Sequence, residues 1–154
     1  MNLPMRENLG PVALRGELRY DEPLAGYTSW RVGGPARRFY RPADAEDLAV
    51  FMARLDPEEP LLWLGLGSNV LIGDGGFAGT VIHTLGKLGQ LRPLNGCHLL
   101  AEAGVSCAKV ARLAAREGLV GAEFLAGIPG TLGGALAMNA GAWGGTTWEL
   151  VSQV

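Results

Sequence analysis

The sequence contains little cysteine and histidine for its length. Cys97, Cys107, His83 and His98 are the only such residues among 154, and none stands in a Cys-x-x-Cys pair or at the spacing of metal ligands. Zinc sites need clusters of these residues, and disulfide-stapled domains need more cysteines. We therefore predict no metal site, and we expect both cysteines to be buried, reduced thiols, as suits a cytoplasmic protein.

An excess of positive charge is also missing. Thirteen lysines and arginines against fifteen acidic residues leave a net charge of −2, whereas a nucleic-acid-binding surface needs a basic stripe. We therefore expect no nucleic-acid partner. Arg31, Arg37, Arg38 and Arg41 form a local cluster, but alternation along a strand would divide it between two faces. We expect most of these arginines on the solvated surface, with Arg31 as a candidate phosphate neighbour.

The sequence offers no convincing membrane segment. Residues 1–8 contain no apolar core of signal-peptide length. Residues 124–148 carry no charge, but seven glycines, Pro129 and Asn139 within them would break a membrane helix. We predict no membrane span, and we interpret this uncharged stretch as a loop buried against a cofactor.

The common nucleotide-binding fingerprints are absent as well. No G-x-x-x-x-G-K-[ST] motif occurs, and the segment Gly65-Leu66-Gly67-Ser68-Asn69-Val70 lacks the third glycine of the dinucleotide motif. Glycine itself is abundant, since 24 of 154 residues is about twice the average usage of roughly 7%. We attribute this excess to ligand loops and tight turns.

Two glycine loops are the strongest functional signal. The first, Gly65–Asn69, follows the apolar run Leu61–Leu64, and the second, Gly127–Gly134, precedes a predicted helix. Glycine lets the backbone approach a ligand, and successive N–H groups can form an anion site. In the first loop Ser68 and Asn69 would add uncharged donors. An ordinary strand-turn-strand connection explains this first loop equally well.

The second loop favours a ligand site more strongly. Pro129 fixes its own φ, Gly130 can adopt positive φ, and Thr131 is placed as the N-cap of a helix that offers free N–H groups. Gly133 and Gly134 inside this helix cost about 1 kcal/mol each relative to alanine. We therefore expect close packing there, either against a flat ring system or against another secondary-structure element.

The pattern of apolar residues and turns predicts two lobes after an N-terminal extension at residues 1–19. The first lobe, residues 20–85, reads as β-α-β-β: a strand at Arg37–Arg41, a helix capped by Asp44 with Leu48, Phe51, Met52 and Leu55 inward, a buried central strand at Leu61–Leu64, and a strand at Thr80–Leu85.

The second lobe, residues 86–154, begins with a hairpin predicted by Asn95-Gly96. Ser106 is the predicted N-cap of a helix that continues to Glu117, with Gly118 as its C-cap. Residues 148–154 start to alternate like a strand, so we expect this lobe to be incomplete and the chain to be the front part of a longer protein.

Four segments carry a resemblance to a known family. They are Thr28-Ser29-Trp30-Arg31-Val32-Gly33-Gly34-Pro35-Ala36, Leu64-Gly65-Leu66-Gly67-Ser68-Asn69-Val70-Leu71, Ala126-Gly127-Ile128-Pro129-Gly130-Thr131-Leu132-Gly133-Gly134-Ala135 and Met138-Asn139-Ala140-Gly141-Ala142-Trp143-Gly144. In this order and spacing, they resemble the flavin-binding half of the UDP-N-acetylenolpyruvoylglucosamine reductases. Trp143 stands where that family usually carries tyrosine.

The resemblance implies an α+β, two-lobed FAD-binding domain of the vanillyl-alcohol-oxidase or PCMH type that ends before the substrate domain. The implied activity is the NADPH-dependent reduction of UDP-N-acetylglucosamine enolpyruvate to UDP-N-acetylmuramate, a cytoplasmic step of peptidoglycan precursor synthesis. The family's catalytic arginine, serine and glutamate would lie beyond Val154, the last residue of the sequence. We therefore expect no catalytic residue in this chain, and no turnover by it alone.

The resemblance also implies the FAD contacts, with the diphosphate near the first loop and the flavin ring nearer the second. Asn139 could bond the flavin edge or cap the preceding helix, and Trp143 could line the substrate entrance or fill the core. The predicted cofactor-binding residues are Gly65, Gly67, Ser68, Asn69, Val70, Gly127, Ile128, Pro129, Gly130, Gly133, Gly134, Asn139 and Gly141.

Two other functions remain open at this stage. A flavin oxidoreductase of the same fold type could act on another substrate, although the Asn139–Gly145 segment favours the reductase. The chain could also be a non-catalytic FAD-binding fragment.

Overall fold

In the computed structural model, which describes residues 13–154, the first lobe is a four-stranded mixed sheet with one helix. The strand order is β1-β2-β4-β3; β1 runs antiparallel to β2, and both β2 and β3 run parallel to β4. The elements are β1 Glu17–Pro23, β2 Pro35–Arg41, α1 Ala45–Ala53, β3 Leu61–Leu64 and β4 Phe77–His83.

Helix α1 covers one face of this sheet, as its apolar pattern predicts. The Asp44 carboxylate accepts a hydrogen bond from the Asp47 N–H at 2.9 Å and caps the helix. Phe51 is buried and stacks on the Tyr40 ring of β2 with a centroid separation of 3.7 Å. Leu55 and Ile82 complete this cluster, so the capped amphipathic helix is confirmed.

The opposite face of the sheet carries the side chains nearest the first glycine loop. Because side chains alternate along a strand, Phe39 and Arg41 of β2 share this face with Val81 and His83 of β4. A 3-10 helix at Leu24–Tyr27 covers part of it. The carboxyl ends of three parallel strands, where α/β proteins commonly bind ligands, therefore meet beside this loop.

The second lobe surrounds a separate apolar cluster. Val105, Cys107, Val110, Phe124 and Leu125 form its centre. Its regular elements are β5 Leu91–Pro93, β6 Leu99–Ala101, α2 Cys107–Arg116, α3 Leu132–Met138, β7 Gly141–Ala142 and β8 Gly145–Thr146, with 3-10 helices at Glu123–Gly127 and Thr147–Leu150.

The hairpin predicted from Asn95-Gly96 is confirmed. Strands β5 and β6 pair antiparallel, and the Leu94 N–H donates to the His98 carbonyl at 2.8 Å across the turn. Ser106 precedes α2 as predicted, although its hydroxyl makes no capping bond. Gly118 follows the end of α2 with φ of +68°, the conformation that favours glycine there.

Three expectations about secondary structure are wrong. Strand β3 is an edge strand with Leu61 and Trp63 exposed, because β4 alone pairs with it in residues 13–154. Residues 17–19, expected in a loose extension, belong to β1 and pair with β2. Residues 147–150 form a 3-10 helix, because Glu149 accepts from the Thr146 N–H at 2.9 Å in a capping box.

Residues 1–12 of the predicted extension lie outside the described part of the chain, and the bounds of the two lobes remain predictions. Within residues 13–154 no helix has both the length and the apolar composition needed to cross a bilayer. That same range contains no group of three or more histidine, cysteine or acidic side chains arranged to hold a metal ion.

Arg38 is not on the solvated surface, contrary to expectation. Its side chain is 4% exposed and lies 2.8 Å from the buried Glu59 carboxylate, which Arg37 also contacts at 2.7 Å and the Thr80 hydroxyl at 2.6 Å. Burial alone would raise the pKa of Glu59, but these hydrogen bonds outweigh it and hold the pKa below its ordinary value. The network joins the loop before β3 to strands β2 and β4.

Replacing Glu59 should destabilise the first lobe strongly. Glu59→Ala leaves the Arg38 guanidinium buried without its counter-ion, so we expect the free energy of unfolding to fall by about 3–5 kcal/mol. Glu58→Ala, at the exposed neighbouring position, should change it by less than about 0.5 kcal/mol. Urea denaturation at pH 7 measures both.

The native contribution of Glu59 should also depend on pH. Because its folded pKa is lowered, the stabilisation is complete above the ordinary pKa of 4.5 and is lost as the pH falls below it. Equal stabilities of the two alanine variants at pH 7 would contradict this account of the network.

Candidate functional site

The first glycine loop presents a run of unpaired backbone donors. The four N–H groups from Leu66 to Asn69 donate to no backbone or side-chain acceptor within residues 13–154. The Ser68 hydroxyl and the Asn69 amide also have no partner in that range. Leu66 and Asn69 are exposed, and consecutive free N–H groups in a turn form concave sites for anions. This loop can therefore bind a phosphate or diphosphate without any charged side chain of its own.

The conformation of the first loop depends on Gly67. This glycine has φ of +72°, and an added Cβ would overlap the Tyr27 carbonyl oxygen. The Ser29 N–H donates to the Gly67 carbonyl at 2.9 Å. The segment after the Leu24–Tyr27 helix thus lies directly on the loop, in a space that only glycine leaves free.

A groove of about 430 Å³ opens beside this contact. Such a volume lies within the usual range for small-molecule sites. Arg31 lies on the groove, is exposed, and makes no ion pair with any residue from 13 to 154. It therefore provides a free positive charge near the unpaired donors. The lining residues are Gly26, Tyr27, Thr28, Ser29, Arg31, Leu66, His83 and Leu85.

The structure brings the second glycine loop into contact with the first. Gly65 lies against the Thr131 side chain, and an added Cβ on Gly130 would lie 3.7 Å from the Ser68 hydroxyl oxygen. No other heavy atom would lie within 4 Å of that Cβ, apart from the neighbouring residues of the chain. The space beside Gly130 is therefore open between the two loops.

The N–H groups at the start of α3 are not free, contrary to expectation. Leu132 donates to the Val105 carbonyl at 2.7 Å and Gly133 to the Ala103 carbonyl at 2.9 Å. The Thr131 hydroxyl accepts from Gly134 at 3.4 Å and so provides the predicted N-cap. These donors are used because Thr131 pairs with Ser106 in a β-bridge that holds α3 against the segment after β6.

Several residues of the second loop have structural roles in this arrangement. An added Cβ on Gly133 would lie 2.8 Å from the Ala103 Cβ, so α3 needs glycine there to approach its neighbour. Ile128 packs against the core of the second lobe. Gly127 faces the Trp143 ring, and Gly141 faces the Gly145 carbonyl across the β7–β8 hairpin. The exposed Gly134 and Pro129 border open space.

The sequence left two roles open for each of Asn139 and Trp143. Asn139 adopts φ of +44° at the C-terminal end of α3, and its side-chain oxygen accepts from the Trp148 N–H at 3.2 Å. Asn139 is therefore the C-cap residue of α3, and its contact with the flavin stays a prediction. Trp143 is 81% exposed and does not fill the core. Its ring lies over Gly127, next to the second loop.

The two cysteines differ in burial. Cys107 is buried at the start of α2, and burial raises the pKa of its thiol. Cys97 is exposed in the turn between β5 and β6, so the expectation of a buried thiol is wrong there. Cys97 is exposed because no other element of residues 13–154 packs over the turn of this two-stranded hairpin.

His83 is the site residue that the sequence did not reveal. It is 5% exposed, lies at the end of β4, and contacts the rings of Tyr27 and Phe39 at centroid distances of 5.1 and 5.5 Å. It lines the groove beside the first loop, and its buried Nδ1 atom has no partner in residues 13–154. Burial and the nearby Arg41 charge lower the pKa of His83 to about 4. In the sequence it reads only as an isolated histidine in a strand.

Comparison with known proteins adds three findings. A family model described as an FAD binding domain matches residues 36–154. The UDP-N-acetylenolpyruvoylglucosamine reductase of Nitrosococcus oceani is 60% identical over 146 residues, which are 95% of this chain and 49% of that protein. The protein of the same name from Methylococcus capsulatus is 61% identical over 140 residues, 91% of this chain and 46% of its own length.

A solved structure agrees with the sequence matches. The crystal structure of UDP-N-acetylenolpyruvylglucosamine reductase from Thermus caldophilus has a TM-score of 0.67 and 37% identity, covering 86% of this chain and 45% of that one. The chain spans about half the length of the curated relatives it matches. The predicted α+β fold of the FAD-binding type and the family resemblance are confirmed.

The expected place of the catalytic residues, beyond Val154, stays a prediction. The described residues therefore provide the two glycine loops and the groove, while the position of the catalytic groups rests on the family resemblance.

A methyl group added at Gly67 should force the first loop away from the Tyr27 carbonyl. Gly67→Ala combines a positive φ with an overlap against backbone, so we expect the free energy of unfolding to fall by roughly 1–3 kcal/mol. Gly73→Ala is the matched control, because nothing lies within 4 Å of its added Cβ. Chemical denaturation compares the two, and similar stabilities would show that the Gly67 contact does not determine the loop.

Proposed function

The chain belongs to the family of FAD-binding domains, so FAD is its cofactor, and we propose that it forms the flavin site of a reductase acting on UDP-N-acetylglucosamine enolpyruvate. The observation that carries the proposal is the run of four unpaired N–H groups at the carboxyl ends of parallel strands. The substrate is inferred from relatives at 60% and 61% identity, which are named for this reaction.

The residues of the first loop fit the diphosphate of FAD. The Leu66–Asn69 N–H groups and the Ser68 hydroxyl would hold the phosphate oxygens, because neutral donors in a concave loop bind anions well. Arg31, which lies on the groove, would neutralise part of the negative charge of the diphosphate. We also propose that Gly65, Asn69 and Val70 contact the cofactor here, as the family resemblance implies.

The residues of the second loop fit the flat part of the cofactor. An added side chain on Gly130 or Gly134 would meet almost no protein atom, so the backbone leaves this space open. Trp143 presents an exposed aromatic face beside it. The N–H groups of Leu132 and Gly133 donate to carbonyls within the protein. This loop would therefore contact the cofactor by packing and would not donate these hydrogen bonds to it.

The bound flavin would supply the hydride chemistry, while the chain supplies binding, orientation and exclusion of water. We propose NADPH as the hydride source and UDP-N-acetylmuramate as the product, in a cytoplasmic step of peptidoglycan precursor synthesis. Asp47 accepts from the Tyr40 hydroxyl, and Glu59 from Arg37. Since both buried carboxylates have structural partners, we propose that the proton donor belongs to the part of the relatives that this chain does not match.

The proposed cofactor site predicts a preference for FAD over FMN. We expect the purified chain to bind one FAD and to bind FMN at least tenfold more weakly, because FMN lacks the diphosphate that the first loop fits. Flavin fluorescence titration gives the affinities, and chromatography of the cofactor released on denaturation gives its identity. Stoichiometric FMN, or no flavin even after incubation with FAD, would contradict the proposal.

The proposed reaction predicts that a chimera regains turnover. The chain alone should show no substrate-dependent NADPH oxidation, because a positioned acid contributes typically 10² to 10⁴-fold. Fusing it to the unmatched half of the Nitrosococcus oceani protein should restore roughly 1 to 10³ turnovers per second. A reaction without the enolpyruvyl substrate subtracts oxygen-dependent oxidation. Turnover by the chain alone would place the proton donor within it.

A further inference from the structure

We propose that the exposed side of α2 is a second ligand site, which binds the polyphosphate group of a nucleotide. The site is a groove of about 390 Å³ in the second lobe. The inference goes beyond the proposed FAD site and does not depend on it, because this groove shares no lining residue with the groove beside the first loop. The lining residues are Leu91, Lys109, Arg112, Ala115 and Arg116.

The three cations of this groove stand on one side of α2. Lys109, Arg112 and Arg116 follow the spacing i, i+3, i+7, which places them within about 60° of one another around the helix axis and along about 10 Å of its length. All three are exposed. Val110 and Ala111, on the other side of the helix, are buried in the core of the second lobe. Core packing therefore fixes which side of α2 faces the solvent.

These cations have no counter-ion among residues 13–154. No carboxylate in that range forms an ion pair with Lys109, Arg112 or Arg116. The Glu102 carboxylate accepts instead from the N–H of Gln90, the residue before Leu91, at 2.7 Å. The groove is thus a locally positive site in a chain whose net charge is −2.

The arrangement is unfavourable for the helix itself. Like charges at i, i+3 and i, i+4 repel each other, and Lys109–Arg112 and Arg112–Arg116 are such pairs. Lys109 stands in the first turn, where the helix dipole favours anions, and no acidic residue is present there. Only Arg116, in the last turn, suits the dipole. A bound anion would relieve the repulsion, so a ligand accounts for these cations better than the stability of the helix does.

The chemistry of the side chains favours phosphate groups. A guanidinium can donate two parallel hydrogen bonds to one phosphate, and an ammonium binds phosphate as a point charge. Two arginines and one lysine in a row match a ligand that carries several adjacent negative charges. Leu91 and Ala115 add an apolar surface for a sugar or a base, and small-molecule sites commonly combine the two. The ligand class is therefore a nucleoside polyphosphate.

One substitution and a matched control test the site. The probe is ATP without added divalent cations, titrated by calorimetry at about 0.15 M ionic strength, which screens diffuse attraction. Arg112→Gln removes the central cation and keeps a good helix former, so we expect ATP to bind at least tenfold more weakly. Arg92→Gln makes the same change of charge beside Leu91. Because side chains alternate along β5 and Arg92 does not line the groove, its binding should stay within about twofold of the wild type.

Each outcome of the titration decides between specific binding and its alternatives. One-to-one binding of ATP, with none of adenosine, supports the site. Equal losses in Arg112→Gln and Arg92→Gln would show only diffuse attraction to positive charge and would overturn it. No saturation by roughly 1 mM ATP, or binding of a glutamate-rich peptide with no binding of ATP, would overturn the nucleotide assignment.

A measurement on the wild-type chain locates the ligand. In ¹H–¹⁵N NMR, ATP should shift the amides of Leu91 and of residues 109–116, and these shifts should remain when FAD is present in excess. Shifts confined to Leu66–Asn69, or shifts that FAD abolishes, would place the ATP at the first glycine loop and overturn the inference.

Discussion

The contact between Gly67 and the Tyr27 carbonyl oxygen is the constraint on which the site depends. It is possible only because Gly67 has no Cβ and a positive φ. Through it, the segment from Tyr27 to Arg31 lies on the first glycine loop and forms one wall of the groove. The unpaired N–H groups, the free Arg31 and the buried His83 are close together for this reason.

The two glycine loops contribute different physical properties to the site. The first leaves its donors free and so provides the electrostatic attraction for an anion. The second uses its donors to hold α3 against the Ala103–Val105 segment, and it contributes open space and rigidity. Glycines of similar appearance in the sequence thus leave N–H groups free in one loop and allow close backbone packing in the other. A dinucleotide, with a charged centre and a flat end, matches this division.

Features set by neighbouring residues could be predicted from the sequence. The Asp44 cap, the Asn95-Gly96 hairpin and the Thr131 cap each depend on a few adjacent positions, and all three are present. The loops themselves and the family were also recognisable from their motifs.

Features set by distant residues could not be predicted. The edge position of β3 depends on which strands pair with β4, and the burial of Arg38 depends on Glu59, twenty-one positions later in the chain. His83 was missed because its place in the groove arises only when β4 lies beside the end of β3.

The most direct test of the account is to follow the backbone amides of the chain by ¹H–¹⁵N NMR while FAD is added, with riboflavin, which has no phosphate, as the comparison. We expect the Leu66–Asn69 amides to shift strongly with FAD and little with riboflavin, because their N–H groups acquire phosphate acceptors. The Leu132 and Gly133 amides, already bonded to Val105 and Ala103, should respond alike to FAD and riboflavin, because only the flavin ring approaches them. Shifts at Leu132 and Gly133 that need FAD and are absent with riboflavin, with none from Leu66 to Asn69, would contradict the assignment of the diphosphate to the first loop.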